Sequence, residues 1–324
     1  MNDSVQQFDE DGPAEFETLY GLPPQERPLL RVIPVPWDRT ASFGRGTANA
    51  PERVLQASWQ VDLHHPVYGD RIWRAGLTLD AADPRFAAWS QAEETPEVLN
   101  PIGRAIDAHV DERVTALLSA GHLPAVLGGE HSVALGAILA AHRAYPKLGV
   151  LHVDAHADLR DAYDGYERSH ASIVFNALQA LGPQNPVVSI GLRDLGRSEL
   201  ELASSDARVH AWLDVEVAAE LLSGTTWAAL VERMLAPLPH EVWITFDIDG
   251  LEPALCPNTG TPVPGGLSWH QAVYLLQAVA LSGRRVVGFD LCEVGDDPWD
   301  ANVGARLLYE LAGCAITTHP GETP

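Results

Sequence analysis

The sequence predicts an α/β fold built on a mainly parallel sheet, and three observations carry that expectation. Short β-rich runs alternate with stretches of helical spacing from residue 29 onward, the rhythm of strand–helix–strand units. Several runs are apolar throughout, as strands buried on both faces are. The unusual ionisable residues fall just after those runs, at the strand ends where open α/β sheets bind ligands.

Residues 1–27 are acidic, proline-containing and aperiodic, and read as an N-terminal tail or arm. Residues 28–324 read as one domain, because no repeat or low-complexity linker interrupts them. In chain order, "LLRVIPVPW" (29–37) opens the domain as an apolar, β-branched strand. Helical spacing over 101–120 closes at Gly121 and leads into the strand "LPAVLGG" (123–129). A helix over 132–145, with Ser132 as N-cap, precedes the strand "LGVLHVD" (148–154). Helical spacing over 170–181 is followed by two strands, "PVVSIGLR" (186–193) and "RVHAWLD" (208–214). A helix over 226–236 leads to "EVWITFDID" (241–249), and one over 268–282, capped by Ser268 and closed by Gly283, leads to "RRVVGFDLCEV" (284–294). A last helix spans 301–315, with Asp300 as its N-cap.

The composition is that of a soluble globular protein, and no run of 18 apolar residues offers a membrane span. The first twenty residues have neither the basic nor the apolar region of a secretory signal. Three scattered cysteines make neither a disulfide framework nor a CxxC metal site, so the expected compartment is cytoplasmic. Lys+Arg minus Asp+Glu is 21 − 44, a formal charge of −23. Such a field repels nucleic acid and anionic membrane, disfavours polyanionic substrates and draws in cations.

The chemistry gathers at four strand ends. In "LHVDAHADLR", Asp154, His156 and Asp158 stand two apart, on one side of an extended backbone. His152 shares the period but lies within the apolar run and reads as a packed strand residue. "LPAVLGGEHS" sets His131 after the Gly128–Gly129 turn, "VWITFDIDG" puts Asp247 and Asp249 on one strand face, and "VVGFDLCEVGD" supplies Asp290 and Glu293. A lone carboxylate is usually a solvated surface group, but each of these interrupts an apolar run. Buried carboxylates need a partner, hydrogen bonds or a metal, and few lysines or arginines lie near these motifs. Asp154, Asp158, Asp247 and Asp249 balance two divalent cations, and His131 and His156 complete the shells. Two ions about 3.5 Å apart can share a water and bring its pKa toward neutrality. Carboxylate and imidazole without thiolate suit Mn²⁺, with Ni²⁺, Co²⁺ or Zn²⁺ as alternatives.

In their order and spacing, "GGEHS", "DAHADLR", "TFDIDGLEP" and "FDLCEVGD" resemble the signature motifs of the ureohydrolases, the arginase/agmatinase family, and most of all its agmatinase-like members. "GRGTANAPERVL" and "IGLRD" extend the resemblance from about residue 29 to the C-terminus. The resemblance implies a three-layer α/β/α arginase-like fold, a homo-oligomer (trimer or hexamer), two Mn²⁺ per subunit, and cleavage of a guanidino C–N bond to urea and an amine. It also implies that His131, Asp154, Asp158 and Asp247 hold one metal. Asp154, His156, Asp247 and Asp249 would hold the other, with Asp154 and Asp247 bridging. Asp249 then relays a proton, His170 in "ERSHAS" stands by the guanidinium or transfers protons, and Glu293 grips the guanidinium. Glu130 stands where Asp is commoner in "GGDHS", Glu252 replaces an Asp after the third motif, and Ala171 follows His170 where Gly is common. None of these departures removes a ligand.

The loop "RDAYDGYERSHA" carries Asp161, Asp164 and Glu167, charges that favour a second cationic end, as in agmatine. Arg168 argues the other way, since it can pair with the carboxylate of 4-guanidinobutyrate. Tyr163, Tyr166 and Trp299 wall the pocket or simply pack. The expected substrate is a small cationic guanidino compound, agmatine first, with arginine, guanidinobutyrate, guanidinopropionate, guanidine and biguanide as alternatives. A non-catalytic partner subunit would lack a ligand or Glu293, and a deacetylase-type relative uses one zinc and fewer carboxylates. The full six-ligand set argues against both. No basic patch supports nucleic-acid binding.

Overall fold

The computed structural model describes residues 8–319. Its strands are β1 (Leu30–Val35), β2 (Leu77–Leu79), β3 (Leu123–Gly128), β4 (Gly149–Val153), β5 (Val187–Leu192), β6 (Val209–Leu213), β7 (Glu241–Asp247) and β8 (Arg285–Cys292). They form one sheet in the order β2-β1-β3-β8-β7-β4-β5-β6, with every pairing parallel. The helices are α1 (Ala50–Ser58), α2 (Arg71–Ala75), α3 (Arg85–Trp89), α4 (Pro96–Ser119), α5 (Leu135–Ala144), α6 (Ile173–Ala180), α7 (Arg197–Ser205), α8 (Asp214–Leu222), α9 (Trp227–Leu235), α10 (Trp269–Leu281) and α11 (Pro298–Thr318).

The helices cover both faces of the sheet and bury two apolar layers. Val54, Ile72, Val217, Met234, Leu276 and Leu308, from α1, α2 and α8–α11, share one layer with Phe246 and Phe289. Phe86, Val110, Ile138, Val174 and Ala203, from α3–α7, share the other with Trp243 and Val126. The expected three-layer α/β/α arrangement is therefore present, and β3, β8, β7 and β4 at its centre are buried almost end to end because neither face meets water. β3 and β4 are consecutive strands in the chain, yet β8 and β7 separate them in the sheet. A crevice opens at such a break in order, at the carboxyl ends of the strands.

The register also aligns a buried polar row across the middle of the sheet. Asp290 pairs with Thr245, Thr245 with His152, and His152 with Ser189. On a pleat of period two, this row lies one step below Asp154 and Asp247 on the same face.

Several element bounds depart from the sequence reading. β2 and helices α1–α3, α7 and α8 are additional to those expected. α4 begins at Pro96, five residues early, and carries Pro101 within it. Ser132 is not a cap: it lies in a 3-10 turn (His131–Ala134), and α5 starts after it. The cap of α11 is Asp297, which accepts the N–H of Trp299, while Asp300 is buried in the first turn and accepts from Asn258. Ser268 does cap α10, in a reciprocal box with Gln271. Of the N-terminal arm, Leu19, Tyr20 and Leu22 are buried. The Tyr20 hydroxyl donates to Ala305 O at 2.8 Å and its ring lies 4.7 Å from that of Tyr309, so this part is sewn to α11. Among the described residues no helix is long and apolar enough to cross a membrane.

Candidate metal centre

Each central strand delivers its side chain through a tight exit. A Cβ on Gly129 would fall 2.0 Å from Trp37 O, so only glycine lets the chain after β3 press against the exit of β1. That turn throws His131 over the ends of β4 and β7. Asp154 follows β4 directly, and Asp158, four residues on, is held at φ 52°. Asp247 ends β7 and accepts the N–H of Asp249 on its Oδ1 at 2.8 Å, which fixes the next turn. Glu293 follows β8 at φ 62° and donates its N–H to Gly129 O at 2.8 Å. Left-handed backbone at two non-glycine residues is strain of the kind that gathers at functional sites.

Two donor groups meet at Asp154. On one side His131 Nδ1 lies 3.0 Å from Asp154 Oδ2, 3.1 Å from Asp158 Oδ2 and 3.5 Å from Asp247 Oδ2. On the other, His156 Nδ1 lies 3.4 Å from Asp154 Oδ1 and 3.1 Å from Asp249 Oδ2. One carboxylate thus offers one oxygen to each group. Asp247, expected to bridge as well, sets its Oδ2 toward His131 and its Oδ1 on the N–H of Asp249, as Asp154 Oδ1 accepts the N–H of His156. Ligands at about 2.1 Å from a common ion, at right angles, stand about 3.0 Å apart. The observed spacings fit that.

The polar row beneath holds these groups in place. Thr245 gives its hydroxyl proton to Asp290 Oδ1 at 2.8 Å, so its oxygen accepts from His131 Nε2 at 2.8 Å. That bond leaves Nδ1 as the nitrogen facing the cluster. His152, in place of merely packing, sets Nε2 2.9 Å from Asp154 Oδ2 and Nδ1 3.0 Å from Ser189 Oγ. Asp290 also accepts the Trp243 indole N–H at 2.7 Å. Among the reading's candidates it is a support, not a ligand.

The electrostatics demand positive charge. Burial, then Asp249, Asp154 and Glu293, push Asp247 well above the ordinary carboxylate range. Burial and Asp154 raise Asp158 to about 6. Burial and Glu130 hold Glu293 well above its ordinary value, and its Oε2 has no partner among the described residues, while Oε1 accepts the N–H of His131 at 2.9 Å. Burial works against a charged His156, yet Asp154 and Asp249 carry it up to about 12. Divalent cations answer both the geometry and the charge.

A cavity of about 310 Å³ opens beside the cluster, lined in part by His156, Asp158, Arg160, Tyr163, His170 and Asp194. Burial brings His170 down to about 4, and its Nε2 meets Ser42 Oγ at 3.1 Å. Asp161 and Asp164 are exposed and outside the lining, and Arg168 binds Asp107 Oδ2 (2.6 Å) and Asn176 Oδ1 (2.7 Å). The structure does not bring these three to the cavity. The chain meets it at Arg160, whose N–H bonds Ala171 O, at Tyr163 and at His170, while Gly165 and Glu167 lean on α4 through Asn100 and Arg104. Trp299 bonds Ala254 O and Tyr166 bonds Glu94 O, so neither is a pocket wall. Arg160, Asp194, Ser42 and Phe43 were absent from the sequence reading as site residues.

Fold and site define a class: an α/β protein whose central strand ends carry two facing carboxylate–imidazole groups able to hold metal. Known proteins narrow it. A profile of the arginase family matches residues 29–315, and the chain belongs to that family. It is 32% identical over 270 residues to an agmatinase of Halalkalibacterium halodurans, covering 83% of this chain and 84% of that one. It is 34% identical over 294 residues to an N(1)-aminopropylagmatine ureohydrolase of Thermus thermophilus, with coverage of 90% and 91%. The crystal structure of agmatine ureohydrolase of Thermoplasma volcanium superposes with a TM-score of 0.75 at 26% identity, covering 93% of this chain and 95% of that one.

Proposed function

We propose that this chain is an agmatinase-type ureohydrolase, cleaving the guanidino C–N bond of agmatine to give urea and putrescine. One observation carries the reading: Asp154 presents an oxygen to each of two donor groups beside a cavity. His131, Asp158 and Asp247 would hold one ion with Asp154, and His156 and Asp249 the other. Two bound divalent ions, manganese first and nickel or cobalt as alternatives, supply an acidified water and positive charge beside the reacting carbon.

The side chains do the rest. The unpartnered Oε2 of Glu293 takes the planar guanidinium by charge-assisted hydrogen bonds, its Oε1 remaining on His131 N. Water adds its oxygen to the guanidinium carbon, and Asp249 takes the proton it loses. That proton passes to the departing nitrogen as the C–N bond breaks, and the remaining hydroxyl proton follows to the freed amine, which yields urea and an ammonium ion. His170, neutral and facing the cavity, exchanges protons with solvent. The carboxylate of Asp194 on the cavity wall, 69% exposed, suits a second cationic end. Arg160 on the same wall favours a second reading, a guanidino acid such as 4-guanidinobutyrate. We place the chain in the cytoplasm as a homo-oligomer, trimer or hexamer, which light scattering tests directly.

Urea release decides among substrates. The manganese-loaded protein is given agmatine, N(1)-aminopropylagmatine, arginine, 4-guanidinobutyrate, guanidinopropionate, guanidine and a biguanide. Agmatine is expected to give the highest kcat/KM. No urea from any of them sinks the reading.

A further inference from the structure

The chain between β1 and α1 passes over the cavity, and one buried carboxylate fastens it there. Glu130 is fully buried. Its Oε2 accepts the N–H of Thr40 at 2.8 Å, and its Oε1 accepts the hydroxyls of Thr40 and Ser132, each at 2.6 Å. Thr40 Oγ1 in turn accepts the N–H of His170 at 3.2 Å, and two residues on Ser42 Oγ meets His170 Nε2. The far end of the strap is held separately. Gly44 N donates to Gly260 O at 2.9 Å, and Arg45 makes two bonds with Glu94 at 2.7 and 2.9 Å.

We infer that Glu130 is a positioning residue: through Thr40 it seats residues 40–43 against the cavity and fixes His170 relative to the metal cluster. The inference rests on the hydrolase reading above. Length is the reason for glutamate here. An aspartate carboxylate would lie about 1.5 Å short, too far to take both donors of Thr40. Glutamine keeps the reach but turns one acceptor into a donor, facing N–H or O–H groups that are donors themselves.

The test uses the manganese-loaded full chain with Glu130→Asp, Glu130→Gln, Thr40→Val and Thr40→Ser. The first three are expected to lose roughly 10- to 100-fold in kcat with bound metal unchanged. Thr40→Ser keeps both donors and restores kcat relative to Thr40→Val. Hydrogen exchange at Thr40, whose N–H is held by Glu130, should quicken in Glu130→Asp while Gly44, held by Gly260 O, stays protected. Unchanged exchange at Thr40 overturns the inference whatever the activity, and so does a loss of activity that tracks loss of metal. If the Glu130 variants do not fold, equal kcat for the two Thr40 variants overturns it. Should the wild type release no urea, the hydrolase reading fails alone, and exchange and metal content in Glu130→Asp still decide the role of Glu130.

Discussion

Asp154 has four imidazole or amide neighbours on two oxygens: His131 and His152 at Oδ2, His156 Nδ1 and His156 N at Oδ1. Exchanging it for asparagine keeps the shape but removes a charge and half of the acceptor capacity. Asp154→Asn is expected to lower kcat by roughly 10³ or more and to strip bound metal, measured by elemental analysis of the purified variant. An active, metal-replete variant would contradict the shared-ligand geometry. The carboxylates of the cluster were legible in sequence because Asp154 and Asp247 close buried apolar strands, with Asp158 and Asp249 following at even spacing. Their supports were not. Thr245 is an ordinary strand residue until register sets it beside Asp290, and Asp194 belongs to no motif of alternating charge. Ser42 and Phe43 are brought to the cavity by bonds of their segment to Glu130, His170 and Gly260, contacts between segments far apart in the chain.

At the level of elements, long buried strands announced themselves, while β2, with three residues, and α2 and α3, with five each, are too short to show a period. The charges of the loop from Asp161 to Arg168 suggested a pocket wall for a related cause, but α4 captures Glu167 and Arg168, and of these residues it is Tyr163 that lines the cavity. Arg168 closes that capture on Asp107, and this pair has a pH signature. Burial raises the Asp107 carboxyl to about 6 against the pull of Arg168. Its unfolded value lies near 4. Above about pH 6 both states are ionised and the fold carries the whole cost; below about pH 4 both are protonated and the cost is gone. Stability of the wild type relative to Asp107→Asn should therefore rise as pH falls from 7.5 to 4.5, by on the order of 2 kcal/mol. Denaturant titrations of both proteins at the two pH values measure it, and an identical difference at each would refute it.

Over the whole molecule, two apolar layers hold the sheet independently of the cluster at its rim, so the fold should survive removal of metal and only weaken. Chelation is expected to lower Tm by roughly 5–10 °C, with recovery on adding Mn²⁺; a melt that ignores complete chelation argues against any ion there. The general architecture was readable because strand and helix alternate so regularly, whereas the strand order was not, since no local pattern says which strands become neighbours. That order has a further consequence. β7 and β8, the last strands to be synthesised, occupy the middle of the sheet between β3 and β4. A chain emerging from the ribosome can hold β3 and β4 ready but cannot join them until residue 292 has appeared, and parallel pairing across so long a separation is slow. Until then the two halves keep open strand edges, and a chain halted before residue 247 lacks the Asp247 and Asp249 carboxylates of the cluster.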